Sequence, residues 1–216
     1  MSAAVWSTPF TSGHIGAAHV PGLAPPPRER QALVWRDPVP AAAGMGTADP
    51  SWWWLGAHGG AGVSTLTALI AGSADVQRMW PGGHPGQCVN VVLVARTHTE
   101  GLERARDLAA QYSARFVPPP IRLLGLVTIA DAPGRLPTPL RRLRNLVSAA
   151  VPQAWHLPWI PEWRTTRLSE LPQWQPATPA GPGAATANTP TALLPPAYLA
   201  CAEELTELAS AGPATG

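Results

Sequence analysis

A glycine-rich loop is the part of this chain best suited to chemistry. Residues Gly56 to Thr65 read G-A-H-G-G-A-G-V-S-T and directly follow the apolar run Trp52-Trp53-Trp54-Leu55. A strand, a glycine turn and a helix opening on Ser64-Thr65 make a phosphate cradle. Glycines let successive backbone N–H groups converge on an anion, and the helix start adds its positive dipole end. The residues assigned to the cradle are His58, Gly59, Gly60, Ala61, Gly62, Val63, Ser64 and Thr65. Val63 occupies the place where such a loop carries its lysine. No other lysine can serve, because all 15 Lys+Arg residues are arginine. Arg96 and Arg135 fall at or just beyond predicted strand ends on the same edge and are candidate replacement cations. Asp131, in D-A-P-G, is a candidate carboxylate, although that tetrapeptide is equally a turn sequence.

Other chemistries have weaker support. His84, Cys88 and His98 are the nearest set of metal ligands, and their spacing matches no strong zinc pattern. No G-x-S-x-G nucleophile elbow is present. The spacing Gly56-x-x-x-Gly60-x-Gly62, with V-V-L-V-A-R later, is similar to the opening of a short-chain dehydrogenase. The catalytic Tyr-x-x-x-Lys pair of such an enzyme cannot exist here, since the chain lacks lysine and its tyrosines are Tyr112 and Tyr198. NADP binding without dehydrogenase chemistry remains as an alternative.

The elements that must hold the loop follow from periodicity. Residues 51–56 form the first strand, and residues 64–72 the first helix, with Leu66, Leu69 and Ile70 at helical spacing and Gly72 as its stop. Residues 73–87 read as a connector. Val89 to Ala95 is a β-branched run of the kind buried on both faces of a parallel sheet. Thr99 to Ala114 is a helix that Thr99 can cap, Ile121 to Ile129 a strand, and Pro139 to Ala150 a helix with Leu140, Leu143, Leu146 and Val147 as its apolar stripe. Ala154 to Ile160 is a short last strand. The alternation predicts an α/β domain over residues 51–170, a reduced, doubly wound parallel sheet of about four to five strands. In the run of three tryptophans, Trp53 must face opposite to Trp52 and Trp54.

The flanks read differently. Residues 1–50, with Pro25-Pro26-Pro27, are expected to be mostly disordered, save for Ala32-Leu33-Val34-Trp35 docking as an extended piece. Residues 171–195 read as a Pro/Ala/Thr-rich linker, 196–210 as an amphipathic helix that packs back in cis, and 211–216 as a disordered tail.

A net charge of +2 with 13% charged residues does not indicate a nucleic-acid binder. The cluster Arg141, Arg142 and Arg144 reads as a solvated helix face. Two distant cysteines argue against a disulfide framework. There is no secretory signal pattern and no membrane-length apolar run, so the expected location is the cytoplasm. Abundant Ala, Arg and Pro with no Lys suggests a GC-rich, actinobacterial genome.

The segment His58 to Thr65 resembles the deviant Walker A loop, K-G-G-x-G-K-[ST]-T, of ParA/MinD-like P-loop ATPases. V-V-L-V-A-R-T-H-T-E-G-L-E-R-A, I-R-L-L-G-L-V-T-I-A-D-A-P-G and H-L-P-W-I-P are similar to that family's later strands and loops, covering roughly residues 50–165. The chain also resembles actinobacterial proteins linked to plasmids and conjugative elements. The resemblance implies a P-loop-type sheet whose loop cradles the phosphates of ATP or GTP, with the Ser64 hydroxyl near Mg²⁺. It implies a protein partner or a homodimer. His58 replaces the signature lysine and Val63 the P-loop lysine, so the expectation is nucleotide binding without efficient hydrolysis. A second alternative is a non-enzymatic interaction or scaffold protein that keeps the loop as a relic. If the loop holds P-loop geometry, Val63→Lys is expected to raise nucleotide affinity.

Overall fold

Strand β1 (Trp52–Gly56) is buried along its whole length. Side chains alternate along a strand, so its tryptophans go to both faces. Trp52 and Trp54 meet edge to face, with ring centroids 5.7 Å apart, in the cluster on one side of the sheet, while Trp53 lies in the cluster on the other. Each takes on the order of 200 Å² out of water, worth roughly 5 kcal/mol. The indole N–H groups need acceptors: that of Trp53 donates to the Cys88 carbonyl (3.0 Å) and that of Trp54 to the Ser73 hydroxyl (2.8 Å).

The structure is a computed structural model that describes residues 23–40, 50–176 and 194–211. In chain order it comprises β1, α1 (Val63–Leu69), β2 (Ser73–Asp75), β3 (Asn90–Arg96), α2 (Thr99–Ser113), β4 (Arg122–Ile129), α3 (Thr138–Ser148), β5 (Ala154–Leu157) and α4 (Pro196–Ser210). The five strands form one sheet, order β2-β1-β3-β4-β5, and every pairing is parallel. Helices α1 and α4 pack on one face, α2 and α3 on the other. The α/β expectation and the five-strand sheet are therefore met.

Several boundaries differ from the sequence reading. Helix α1 stops at Leu69 because Ile70 is already extended (φ −123°, ψ 105°). The supposed connector contains β2, which pairs in parallel with β1. Ser-Ala-Asp has little strand propensity of its own, and β1 supplies the edge that makes it a strand. In α3 only Val147 is fully buried, and Leu146 is 53% exposed. Residues 171–176 are no linker: Trp174 bridges to Ile70 at the end of α1, with reciprocal backbone bonds to Ala71 and Leu69. Helix α4 docks in cis as expected. Tyr198, Cys201, Ala202 and Leu205 are buried, the Tyr198 hydroxyl donates to the Pro158 carbonyl (3.0 Å), and Arg122 donates to the carbonyl of Leu208 in the helix's last turn (2.7 Å).

The N-terminal segment is the largest departure. Residues 1–22 and 41–49 lie outside the described residues, as do 177–193 of the linker and 212–216 of the tail. Residues 23–40, expected to be mostly disordered, are a strap packed beside α2. Val34 bridges to Trp80, as the docking of Ala32 to Trp35 anticipates. The strap has a structural task. From the end of β2 the chain runs back to the start of β3 without a helix, and Val76, Trp80 and the strap's Val39 cover the sheet where a helix would sit.

Strand β4 carries a bulge opposite Val91 and Val92. Gly125 sits there, and a Cβ on it would overlap the Gln153 carbonyl and lie 2.7 Å from the Trp155 ring. Gly125→Ala is expected to lower the unfolding free energy by about 1–3 kcal/mol in chemical denaturation, because β5 must shift to admit one methyl group.

Candidate functional site

The sheet order fixes where a ligand can sit. From β1 the chain winds outward to β2 across α1 on one face; from β3 it winds through α2 and α3 on the opposite face. The crossovers diverge between β1 and β3. In an open parallel sheet, the crevice at the strand C-termini beside such a switch point is the ligand position. A cleft of about 600 Å³ opens there, bounded by the glycine loop, Asp75, Gln77, Arg78 and Arg96. A second depression of about 440 Å³, at the opposite strand ends near Ser51 and Asn90, has no charged side chain in its wall.

The loop is shaped by close packing. Gly62 precedes α1 in the left-handed region (φ +102°), and a Cβ on it would lie 2.7 Å from Ile129 Cδ1. The positive φ requires glycine there. The Leu66 N–H to Gly62 carbonyl bond (3.0 Å) is the first of the helix, so the N–H groups of Val63, Ser64 and Thr65 have no intrahelical acceptor. Ser64 is exposed and Thr65 half-buried at the cleft. Val63 is 8% exposed and packs in the core cluster under α1. Val63 also lines the cleft, so a lysine here gives up the valine's packing while its ammonium group reaches towards the cleft. Val63→Lys is therefore expected to lower stability through the lost core packing, whatever its effect on nucleotide affinity.

Two guanidinium groups flank the loop. A Cβ on Gly62 would lie 3.8 Å from Nη2 of Arg96, and one on Gly59 would lie 3.9 Å from Nη1 of Arg78. Arg96 ends β3; its Nη1 donates to the Ala130 carbonyl (3.0 Å), and its guanidinium lies 5.9 Å from the Trp159 ring centroid. Arg78 comes from the turn after β2. There Gln77 and Arg78 both adopt left-handed backbone, φ 59° and 58°, which costs about 1–2 kcal/mol per residue outside glycine. Asp75, at the end of β2, accepts the Gln77 N–H on Oδ1 (2.7 Å).

His58 is a clasp rather than a cation. Its Nε2 accepts the backbone N–H of Arg96 (3.1 Å), which leaves the proton on Nδ1 to be donated to the Gly59 carbonyl (2.8 Å). Burial pushes its pKa below the ordinary 6.5, outweighing the Gly59 hydrogen bond. Its ring meets that of His98 edge on, 4.6 Å between centroids. His98, rather than Thr99, caps α2, accepting the Gly101 N–H on Nδ1 (3.0 Å). The loop after β1 is thus tied to both the end of β3 and the start of α2.

Of the residues singled out from sequence, the structure brings His58 to Thr65 and Arg96 together at the cleft. Asp131 and Arg135 are not brought there. Both are exposed in the loop after β4, where the Asp131 backbone N–H donates to the Thr97 hydroxyl (3.1 Å). The turn reading of D-A-P-G fits this placement. Asp75, Gln77 and Arg78 were missed. The available signal was an acid about 20 residues beyond the first glycine, at the end of the second strand, as dinucleotide-binding units have it. Among the described residues no cluster of three or more His, Cys, Asp or Glu could hold a metal ion, and His84, Cys88 and His98 form none. No described helix is long and apolar enough to cross a membrane.

The chain belongs to the family of unknown function DUF6668, whose model matches residues 50–176. That span holds the whole sheet and the cleft. The strap and α4 lie outside it. No curated protein and no solved structure matches the chain.

The His58 clasp has a pH signature. Its folded-state pKa lies below that of the unfolded chain, so the unfolded state takes up the proton first. The stabilisation is complete above pH 6.5 and declines as pH falls below that value towards the folded pKa. Unfolding free energy measured between about pH 7.5 and 5 should fall on acidification. His58→Gln, which can keep both the acceptor and the donor, should flatten that slope; equal slopes in both chains would place the loss elsewhere, His156 being shifted in the same direction.

Proposed function

We propose that the cleft binds the phosphate groups of a nucleotide, ATP or GTP, without hydrolysing it efficiently, and that the bound state acts through a protein partner. One observation carries this reading. In a chain without lysine, two arginines, Arg96 at the end of β3 and Arg78 in the turn after β2, flank the glycine loop at the topological switch point. A guanidinium stays charged at any relevant pH and grips phosphate oxygens in a planar fork. Together with the free N–H groups of the first turn, Arg78 and Arg96 would supply the neutralisation that a loop lysine gives elsewhere. The likeness of His58 to Thr65 to the deviant Walker A loop of ParA/MinD-like proteins supports the same reading.

The chemistry of turnover has less to work with. His58 is committed to the Arg96 N–H. The one carboxylate in the cleft wall, Asp75, is engaged by Gln77. For a Mg²⁺ ion carried in by the nucleotide, the Ser64 and Thr65 hydroxyls, the Gln77 amide oxygen and the remaining Asp75 oxygen are hard donors in the wall. Bound Mg²⁺ would neutralise phosphate charge. The arginines and the loop would hold the phosphates in place.

A second reading rests on Asp75 and Arg78. An acid ending the second strand and an arginine close behind it suit a ribose with a free or phosphorylated 2′-hydroxyl, which favours a dinucleotide such as NADP. Isothermal titration with ATP, GTP and NADPH, each with and without Mg²⁺, separates the readings. Saturable ATP or GTP binding is expected, with turnover below about 10⁻³ s⁻¹. Arg96→Ala and Arg78→Ala should each weaken it about tenfold or more. Preference for NADPH would select the second reading. Failure of every ligand to bind would leave the loop as a structural turn and the protein as a scaffold.

A further inference from the structure

The turn that carries Arg78 is held from outside itself. Two consecutive left-handed residues are unfavourable, and the turn's own sequence, Val76-Gln77-Arg78-Met79-Trp80, has no glycine or asparagine to relieve them. Its ends are pinned instead. The Val76 N–H donates to the Trp54 carbonyl (3.2 Å). Asp75 Oδ1 accepts the Gln77 N–H within the turn (2.7 Å), and three bonds come from the strap: the Trp35 indole N–H donates to the Val76 carbonyl (2.9 Å), the Trp35 backbone N–H to the Trp80 carbonyl (2.9 Å), and Leu33 accepts the Trp80 N–H (2.8 Å). Trp35 thus spans the turn, one bond on each side of Arg78.

The strap is anchored well away from the cleft. The Gln111 side-chain amide reads both backbone groups of Ala32 (2.9 and 2.8 Å), and Gln87 does the same for Val39 (3.2 and 3.1 Å). Arg30 pairs with Asp107 at 2.7 Å. These contacts treat the strap as an added extended peptide, held mainly through its backbone. Its position depends on α2 and the β2–β3 connection. In turn, the placement of Arg78 depends on the strap.

We propose that Trp35 is a positioning residue for the anion site: strap docking holds Arg78 over the glycine loop, so that docking and anion binding are coupled. The proposal rests on the reading of the cleft as a phosphate site and names its regulation. Linkage makes the effect reciprocal: phosphate bound against Arg78 tightens the strap, and anything that draws the strap away weakens phosphate binding. A partner that captures the N-terminal segment would thereby act as a release factor.

The test uses the full chain in four forms: wild type, Trp35→Phe, Arg78→Ala and the double variant. Two readouts are needed, pyrophosphate affinity by titration and hydrogen exchange at the amides of residues 77–80. Trp35→Phe keeps an aromatic ring but loses the indole N–H. It should speed exchange in the turn by roughly fivefold, the worth of one hydrogen bond, and weaken pyrophosphate binding by a similar factor. In the Arg78→Ala background the affinity effect should vanish. Unchanged exchange in Trp35→Phe overturns the coupling and leaves the cleft reading intact. Equal weakening with and without Arg78 overturns the positioning role, since general loosening would act on both backgrounds. No pyrophosphate binding by the wild type overturns the cleft reading and the coupling with it. If Trp35→Phe fails to fold, Arg30→Ala, which removes the strap's pair with Asp107, loosens the same segment and is held to the same outcomes.

Discussion

Three consecutive tryptophans in β1 impose the constraint that organises this protein. Their alternation puts large apolar surface on both sides of the sheet, so neither face can be left to water. On one side α1 and α4 meet the demand. On the other, α2 and α3 cover β3 and β4 but leave the region over β1 and β2, because the chain returns from β2 to β3 without a helix. Trp80, Val76 and the strap close that gap. The strap is a substitute for a missing layer element, and the Arg78 turn is the corner at which that substitute meets the C-terminal edge of the sheet.

The legible parts of the fold were those with a repeating pattern. V-N-V-V-L-V-A and the run from Ile121 to Ile129 announce buried parallel strands through β-branched density, and α2 and α4 announce themselves by helical spacing. The opposite facing of Trp53 follows from strand geometry alone. What escaped was structure made by a partner rather than by local sequence. Strand β2 is three residues long and exists because β1 offers it an edge. The strap has prolines and no period, and is ordered by the amides of Gln111 and Gln87. Helix α3 shows the reverse error: its periodicity is clear, yet Leu146 stays exposed, and α3 packs chiefly against α2.

The same division runs through the site. The loop from His58 to Thr65 was visible because glycines at a strand-to-helix junction have a physical use that spacing reveals. The role of His58 was not, because a histidine's charge depends on what its two nitrogens meet. Here both are taken by backbone groups, and burial lowers the ring's pKa. Arg78 has a weaker signal than Asp75 beside it. Its sequence neighbourhood is a connector, and only a left-handed turn pinned by residues 33 and 35 carries it to the loop.

That arrangement bears on why a chain with no lysine would keep a glycine loop. A lysine on the first turn of the helix moves with the loop and reaches phosphate as a flexible point charge. Here that position is a core valine, and the positive charge comes from two arginines on separate elements, one fixed to the end of β3 and one to the strap-held turn. Charge supplied from separate elements depends on how those elements sit relative to each other. It suits a site whose occupancy reports on the arrangement of the chain more than one that must follow a phosphoryl group through a transition state, where stabilisation depends on fixed, preorganised contacts. On the proposed reading, a valine at position 63 and a strap at residues 23–40 belong together: the cleft would hold an anion when that segment is in place.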